Sequence, residues 1–194
     1  MIISNYISKK LTSAMQESNI ISKNEAAIYV YCLDYFLEIF FYITSTTLIS
    51  ILLHRFPIYL IFLGVIFPLR AFAGGIHASN SKKCTIYSYL LFFSIIILSP
   101  YITRYLTWQW VVLFYMSTIL IAVLAPVDTA NRRLDNKKSH TMKRKCYIVI
   151  FILWVTFHYI FLFSTKIYYG TISLCAIIVA VSVIAGYIQN KKGN

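Results

Sequence analysis

Residues 56–103 read FPIYLIFLGVIFPLRAFAGGIHASNSKKCTIYSYLLFFSIIILSPYIT. Two apolar runs flank one short polar stretch, and that alternation decides the fold. Each run approaches the ~20 residues that a helix needs to cross a bilayer core. In hydrocarbon the backbone has no water to bond, so an unbroken apolar run of this length is read as a helix that satisfies its own N–H and C=O groups. Pro68 lies where the first run ends and predicts a kink there; Pro100 lies near the end of the second.

The polar stretch between the runs, Arg70 to Cys84, is the only place where a histidine, a cysteine, a glycine pair and basic residues crowd together. A thiol needs a base to become a good nucleophile at neutral pH, and His77 lies seven residues before Cys84. On one continuous helix the two would be about 10 Å apart along the axis. Direct proton transfer needs roughly 3 Å, so the chain between them must fold back if the pair works. Gly74 and Gly75 relieve backbone restriction on one side. Ser79, Asn80 and Ser81 offer helix N-caps on the other. Cys84 would then lie in or just beyond a first helical turn, where the helix dipole, helped by Lys82 and Lys83, favours a thiolate. The same residues also read as an ordinary basic loop in which His77 and Cys84 never meet, and spacing alone leaves both readings open.

Composition extends the membrane reading to the whole chain. Of 194 residues, 59% are hydrophobic and 12% charged, with a mean hydropathy of +0.72. A soluble domain usually carries about 25% charge. The sequence is expected to form an all-α polytopic membrane protein with six transmembrane helices, over approximately 26–53, 56–73, 84–103, 108–127, 146–164 and 168–188, in one integral membrane domain. Residues 1–24 precede them: Ile3, Ile7, Leu11, Ala14 and Met15 recur at helical spacing, which predicts an amphipathic interfacial helix. No compact apolar core followed by a small-residue cleavage site is visible there, so no cleavable signal peptide is expected. Ser22-Lys-Asn-Glu25 matches a capping box that starts the first span.

Charge sets the orientation. Fifteen of the eighteen lysines and arginines fall on the side that would hold both termini, the 70–84 stretch and the loop 128–145. Arg55, Arg104 and Lys166 fall on the other. Positive residues concentrate in the cytosol, so both termini and the His77–Cys84 loop are expected there. The net charge of +12 is explained by this asymmetry rather than by nucleic-acid binding.

Other residues compete for a role. Asp34 and Glu38 lie four apart inside the first span, hence on one face, where they could accept a proton, pair with Arg70 or meet a basic part of a partner. His140 and Cys146 form a second His/Cys pair in a run of lysines and arginines, without a glycine hinge, and read as a solvated basic face. That face would attract acidic lipid or an acidic peptide tail. Cys32 and Cys175 have apolar neighbours and are expected to pack, and His158 is expected to be a packed or interhelical hydrogen-bonded residue rather than a proton relay. No phosphate loop, HExxH or GxSxG motif is present, and no cofactor or metal is expected.

The pattern Arg70-x4-Gly75-x-His77-x6-Cys84, between the second and third of six spans in a basic chain of this length, resembles the accessory gene regulator protein B family. Gly-x-His-Ala at 75–78 carries most of that likeness; Ala125-Pro126 followed by a polar, basic stretch is a looser one. The resemblance implies a homodimeric membrane cysteine endopeptidase of bacterial quorum sensing. Such an enzyme removes the C-terminal part of a small precursor peptide and closes a thiolactone or lactone ring. It implies His77 and Cys84 as the catalytic pair, with Arg70 and Gly75 as supporting motif positions. The precursor would carry an amphipathic N-terminal helix and an acidic C-terminal tail. Asp34, Glu38, Lys82, Lys83, Arg132, Arg133, Lys137 and Lys138 are the residues expected to meet it. The rival reading is a non-enzymatic membrane transporter or export scaffold for a small peptide, to which Asp34, Glu38 and His158 lend some support.

Overall fold

The computed structural model describes residues 2–76, 81–103, 108–127 and 136–192. Seven helices run through them: α1 Ile2–Glu17, α2 Ala26–Leu52, α3 Phe56–Ala73, α4 Ser81–Ile102, α5 Trp108–Leu124, α6 Asn136–Phe163 and α7 Lys166–Lys192. Five of them, α2, α3, α4, α6 and α7, are long and apolar enough to cross a membrane; α5 is apolar but shorter. The helix bounds follow the apolar runs at most ends, because the same burial in lipid that selects apolar side chains forces the backbone to bond to itself.

The bundle is built around α7, which packs against α3, α4, α5 and α6. Its buried positions Tyr169, Ile172, Ala176, Val179 and Val183 recur every three or four residues, with Cys175 and Ala180 widening the stripe. Small residues let neighbours approach. At Gly170 a β-carbon would come within 2.5 Å of Thr103, and at Gly186 within 2.9 Å of the backbone of Gly75. Within the core, Phe114 of α5 stacks on Phe157 of α6 at 4.0 Å between centroids and 8° between planes.

Polar rungs tie α2 to its neighbours. The Tyr59 hydroxyl of α3 meets Thr46 at 2.9 Å, the Tyr42 hydroxyl donates to the Ser88 carbonyl of α4 at 3.2 Å, and Ser45 meets Tyr89 at 2.6 Å. Inside hydrocarbon such groups must find partners within the protein. A tight turn at Leu53–Arg55, with His54 at φ +52°, sends the chain from α2 back into α3.

Two local outcomes depart from the hydropathy reading. The stripe that α1 buries is Ser4, Ser8 and Thr12, and α1 packs along α2, while Leu11 stays exposed. Ser8 and Thr12 return their hydroxyls to carbonyls of their own helix, at 3.0 and 2.8 Å, so the docked face is short and internally satisfied. The second departure is α6, which begins at Asn136, well before the expected start at Cys146. Hydropathy ends at the charged residues, but a helical backbone does not: Lys, Met and Arg are good helix formers and no Gly or Pro interrupts 136–146. The capping box at Ser22 is present in part: the Glu25 carboxylate accepts from the Ser22 N–H at 3.0 Å and its hydroxyl at 2.7 Å. Those bonds hold the Glu25 carboxyl below its ordinary range.

Candidate active site

Three segments distant in sequence meet at the end of α3. Arg70 lies in its last turn. The helix closes at Gly74, whose N–H bonds to the Arg70 carbonyl at 3.2 Å and whose φ of +78° and ψ of −143° are open to glycine and almost nothing else. Gly75 follows at φ +126°. The second segment is Ala125-Pro126-Val127, which ends α5 through a cis peptide bond at Pro126. Its Val127 N–H donates to the Ala73 carbonyl at 3.0 Å, and Gly74 and Val127 form an isolated parallel bridge. The third is α7, whose Ser182 carbonyl accepts the Ile76 N–H at 3.1 Å.

Arg70 joins these pieces. One arm of its guanidinium donates to the Ser182 hydroxyl and the other to the Ile76 carbonyl, the latter at 2.8 Å. Both backbone polar groups of Ile76 are therefore held, one by α7 and one by α3. The glycines make this approach possible. A β-carbon at Gly74 would lie 2.5 Å from the Val127 carbonyl oxygen. One at Gly75 would lie 2.6 Å from the Ser182 hydroxyl and 3.0 Å from the Arg70 guanidinium.

His77, the next residue, lies outside the described residues, as do Arg132 and Arg133. Cys84 is the fourth residue of α4, so it sits in the first turn, and it is exposed. Arg70 is within electrostatic reach of a negative sulfur there. The Cys84 carbonyl accepts the Ser88 hydroxyl at 3.0 Å. Lys82 is part of the same turn, and Lys83 is exposed.

The four cysteines separate cleanly. Cys146 and Cys175 are buried, at 1% and 0% exposure, which removes the His140–Cys146 pair from contention as a nucleophilic site. His140 itself is exposed. Cys32 is exposed rather than packed, but it lies inside the apolar run of α2. Cys84 alone is exposed at a helix start beside a cation.

Asp34 and Glu38 are half-buried in α2, and the Arg70 guanidinium donates to Ser182 and Ile76. Among the described residues the buried Asp34 Oδ1 has no hydrogen-bond partner. Lys137 and Lys138 lie in the first turn of α6, with Lys138 exposed. At the other end of that basic stretch, the Lys145 ammonium sits over the Phe72 ring at 5.7 Å, which brings the α6 base against α3 close to Arg70 in sequence. His158 bonds to the Tyr115 hydroxyl at 2.7 Å and shares 2.8 Å with the Trp154 carbonyl, an interhelical link between α5 and α6.

The family model of accessory gene regulator B matches residues 3–184, a range that includes Arg70, the glycine-closed end of α3 and Cys84. The chain belongs to the accessory gene regulator B family. No curated protein and no solved structure matches it. Membership in the accessory gene regulator B family points to membrane-bound processing of a small autoinducer precursor peptide in quorum sensing. Sequence reasoning had reached Arg70, Gly75, His77 and Cys84. It missed Ser182, Gly186 and Val127, which carry no motif of their own; the small residues at 182 and 186 of the last apolar run were the available signal.

Proposed function

We propose that this protein is a membrane cysteine endopeptidase in which His77 activates Cys84 to cut a small precursor peptide and tie the upstream part into a thiolactone or lactone ring. The observation that carries the reading is the clamp on Gly74–Ile76, which fixes the backbone that leads directly into His77, together with an exposed Cys84 in the first turn of α4. A rigid entry on one side and a rigid helix start on the other is what a dyad on a short loop requires.

The chemistry balances without added water. His77 takes the Cys84 proton, and the sulfur attacks the carbonyl carbon at the cut site. The carbon–nitrogen bond breaks, His77 returns the proton to the departing amine, and an acyl-enzyme thioester remains. A cysteine or serine upstream in the peptide then gives its proton to His77 and attacks the thioester carbonyl. The ring closes, and the Cys84 sulfur leaves and regains its proton. Exchange of one thioester for another is nearly isoenergetic. The N–H groups of the first turn of α4, which have no carbonyl of their own helix to bond, are the proposed donors to the developing oxyanion. Arg70, with one arm on Ser182 and the other on the Ile76 carbonyl, brings positive charge to the thiolate that the reaction forms at Cys84.

In the same reading the chain has six spans with both termini and the reactive loop in the cytosol, and it acts as a homodimer in the bacterial cell membrane. The precursor lays an amphipathic helix on the membrane face that bears α1, and its acidic tail meets the basic residues Arg132, Arg133, Lys137 and Lys138. The bridge between Gly74 and Val127 supports this placement, because Val127 is the last residue before that basic loop. Lys82 and Lys83 add charge beside the cut site.

Cys84→Ser in membranes co-expressing the precursor is the discriminating experiment. The proposal expects the precursor to co-purify with the variant uncut. A transporter or scaffold would instead leave cut and uncut peptide in wild-type proportion, and that result would reject the enzyme reading.

A further inference from the structure

We propose that Ser182 and Gly186 of α7 are positioning residues for the reactive loop, and that α7 is the platform on which His77 is aimed at Cys84. The inference rests on the dyad reading above and adds to it two residues far from the dyad in sequence. Ser182 contributes twice. Its carbonyl accepts the Ile76 N–H at 3.1 Å, and its hydroxyl accepts from the Arg70 arm opposite the one that holds the Ile76 carbonyl. The peptide groups on both sides of Ile76 are thus fixed against α7, directly or through Arg70, and the second of these is the peptide bond to His77.

Gly186 lies one turn further along α7, on the same face, and is buried. A β-carbon there would come within 2.9 Å of the Gly75 carbonyl carbon and 3.1 Å of the Ile76 nitrogen. Both are backbone atoms, so the loop cannot yield by turning a side chain and must move as a unit. Gly170, on the same helix, meets a similarly close neighbour, but that neighbour is the Thr103 side chain, away from the motif. Gly64 of α3 has nothing within 4 Å. These two glycines separate a defect in helix packing from a defect in aiming.

The test needs no substrate. In a Cys32→Ser background, the rate at which iodoacetamide alkylates Cys84 is followed from pH 5 to pH 9 in native membranes, in the wild type, His77→Ala, Ser182→Ala, Ser182→Thr, Gly186→Ala, Gly170→Ala and Gly64→Ala. A base poised at the thiol makes alkylation at pH 7 about tenfold faster than an isolated cysteine allows. His77→Ala, Ser182→Ala and Gly186→Ala are expected to lose that advantage with the same altered pH profile. Ser182→Thr, Gly170→Ala and Gly64→Ala are expected to keep the wild-type profile. If Ser182→Ala and Gly186→Ala follow the wild type while His77→Ala does not, the positioning role is wrong and the dyad stands. If His77→Ala follows the wild type, the dyad fails and the positioning role falls with it. Should Gly186→Ala fail to accumulate in the membrane, Ser182→Ala decides, since it removes one hydroxyl and keeps the helix and the carbonyl bond.

Discussion

Replacing Gly74 by alanine places a methyl group where the fold has left none. The residue sits at φ +78° and ψ −143°, a conformation that costs a non-glycine residue of order 1–3 kcal/mol. The added β-carbon would also lie 2.5 Å from the Val127 carbonyl oxygen, so the bridge that holds the Val127 N–H to the Ala73 carbonyl must open. Losing one backbone hydrogen bond of this kind costs about 1 kcal/mol. Relief comes by moving Gly74–Ile76 off Val127, which leaves the helices intact and withdraws the loop from its held position. The penalty of about 2–4 kcal/mol then falls on the aligned state of the loop, which predicts a loss of about 30- to 900-fold in precursor cleavage at unchanged protein abundance. The assay is cleavage of the precursor in membranes with enzyme amount fixed by immunoblot. Gly64→Ala, in open space on the same helix, serves as the neutral control. Cleavage within about twofold of wild type for Gly74→Ala would refute the view that this glycine holds the motif in its working geometry.

Further outcomes follow from other parts of the molecule. Phe157→Ala removes a ring stacked on Phe114 and 1% exposed, and should destabilise the bundle by about 3–5 kcal/mol, read as a lowered unfolding midpoint in detergent. A wild-type midpoint would show that the cavity refills. Reversing the charge of Arg132, Arg133, Lys137 and Lys138 should impair processing most at low salt; equal processing at low and high salt would separate the basic stretch from the substrate tail. Glu25 titrates below its ordinary value of 4.5 because Ser22 donates two hydrogen bonds to its carboxylate, so its contribution to the α2 start is present above that value and is lost as pH falls through the lowered one. Ser22→Ala should move the Glu25 titration upward, followed by carboxyl NMR in micelles, and an unmoved titration would assign the shift to another cause.

The helices were legible because lipid imposes one rule on side chains and backbone together. Runs such as 56–73 announce both burial and hydrogen bonding, and α3 has those bounds. Where the rule lapses, so does the reading. The base of α6 carries charge along a continuous helix, and polarity alone gave no sign of it. The contact face of α1 is Ser4, Ser8 and Thr12, the stripe that hydropathy assigns to solvent, because close helix approach selects small side chains rather than apolar ones. The site divides in the same way. Arg70, Gly75 and Cys84 stand out by their chemistry within fifteen residues of one another. Val127, Ser182 and Gly186 act through a carbonyl, a hydroxyl and the lack of a side chain, and only the folded bundle brings them to the motif.

A covalent thioester between the precursor and Cys84 is the species on which the proposed chemistry turns. Membranes mixed with precursor and quenched in acid within the first turnover should yield intact protein heavier by the mass of the N-terminal peptide fragment, on the tryptic segment that holds Cys84. The adduct should vanish on treatment with neutral hydroxylamine and be absent from Cys84→Ala. Release of ring product by Cys84→Ala, or by wild-type protein that never carries the adduct, would contradict it.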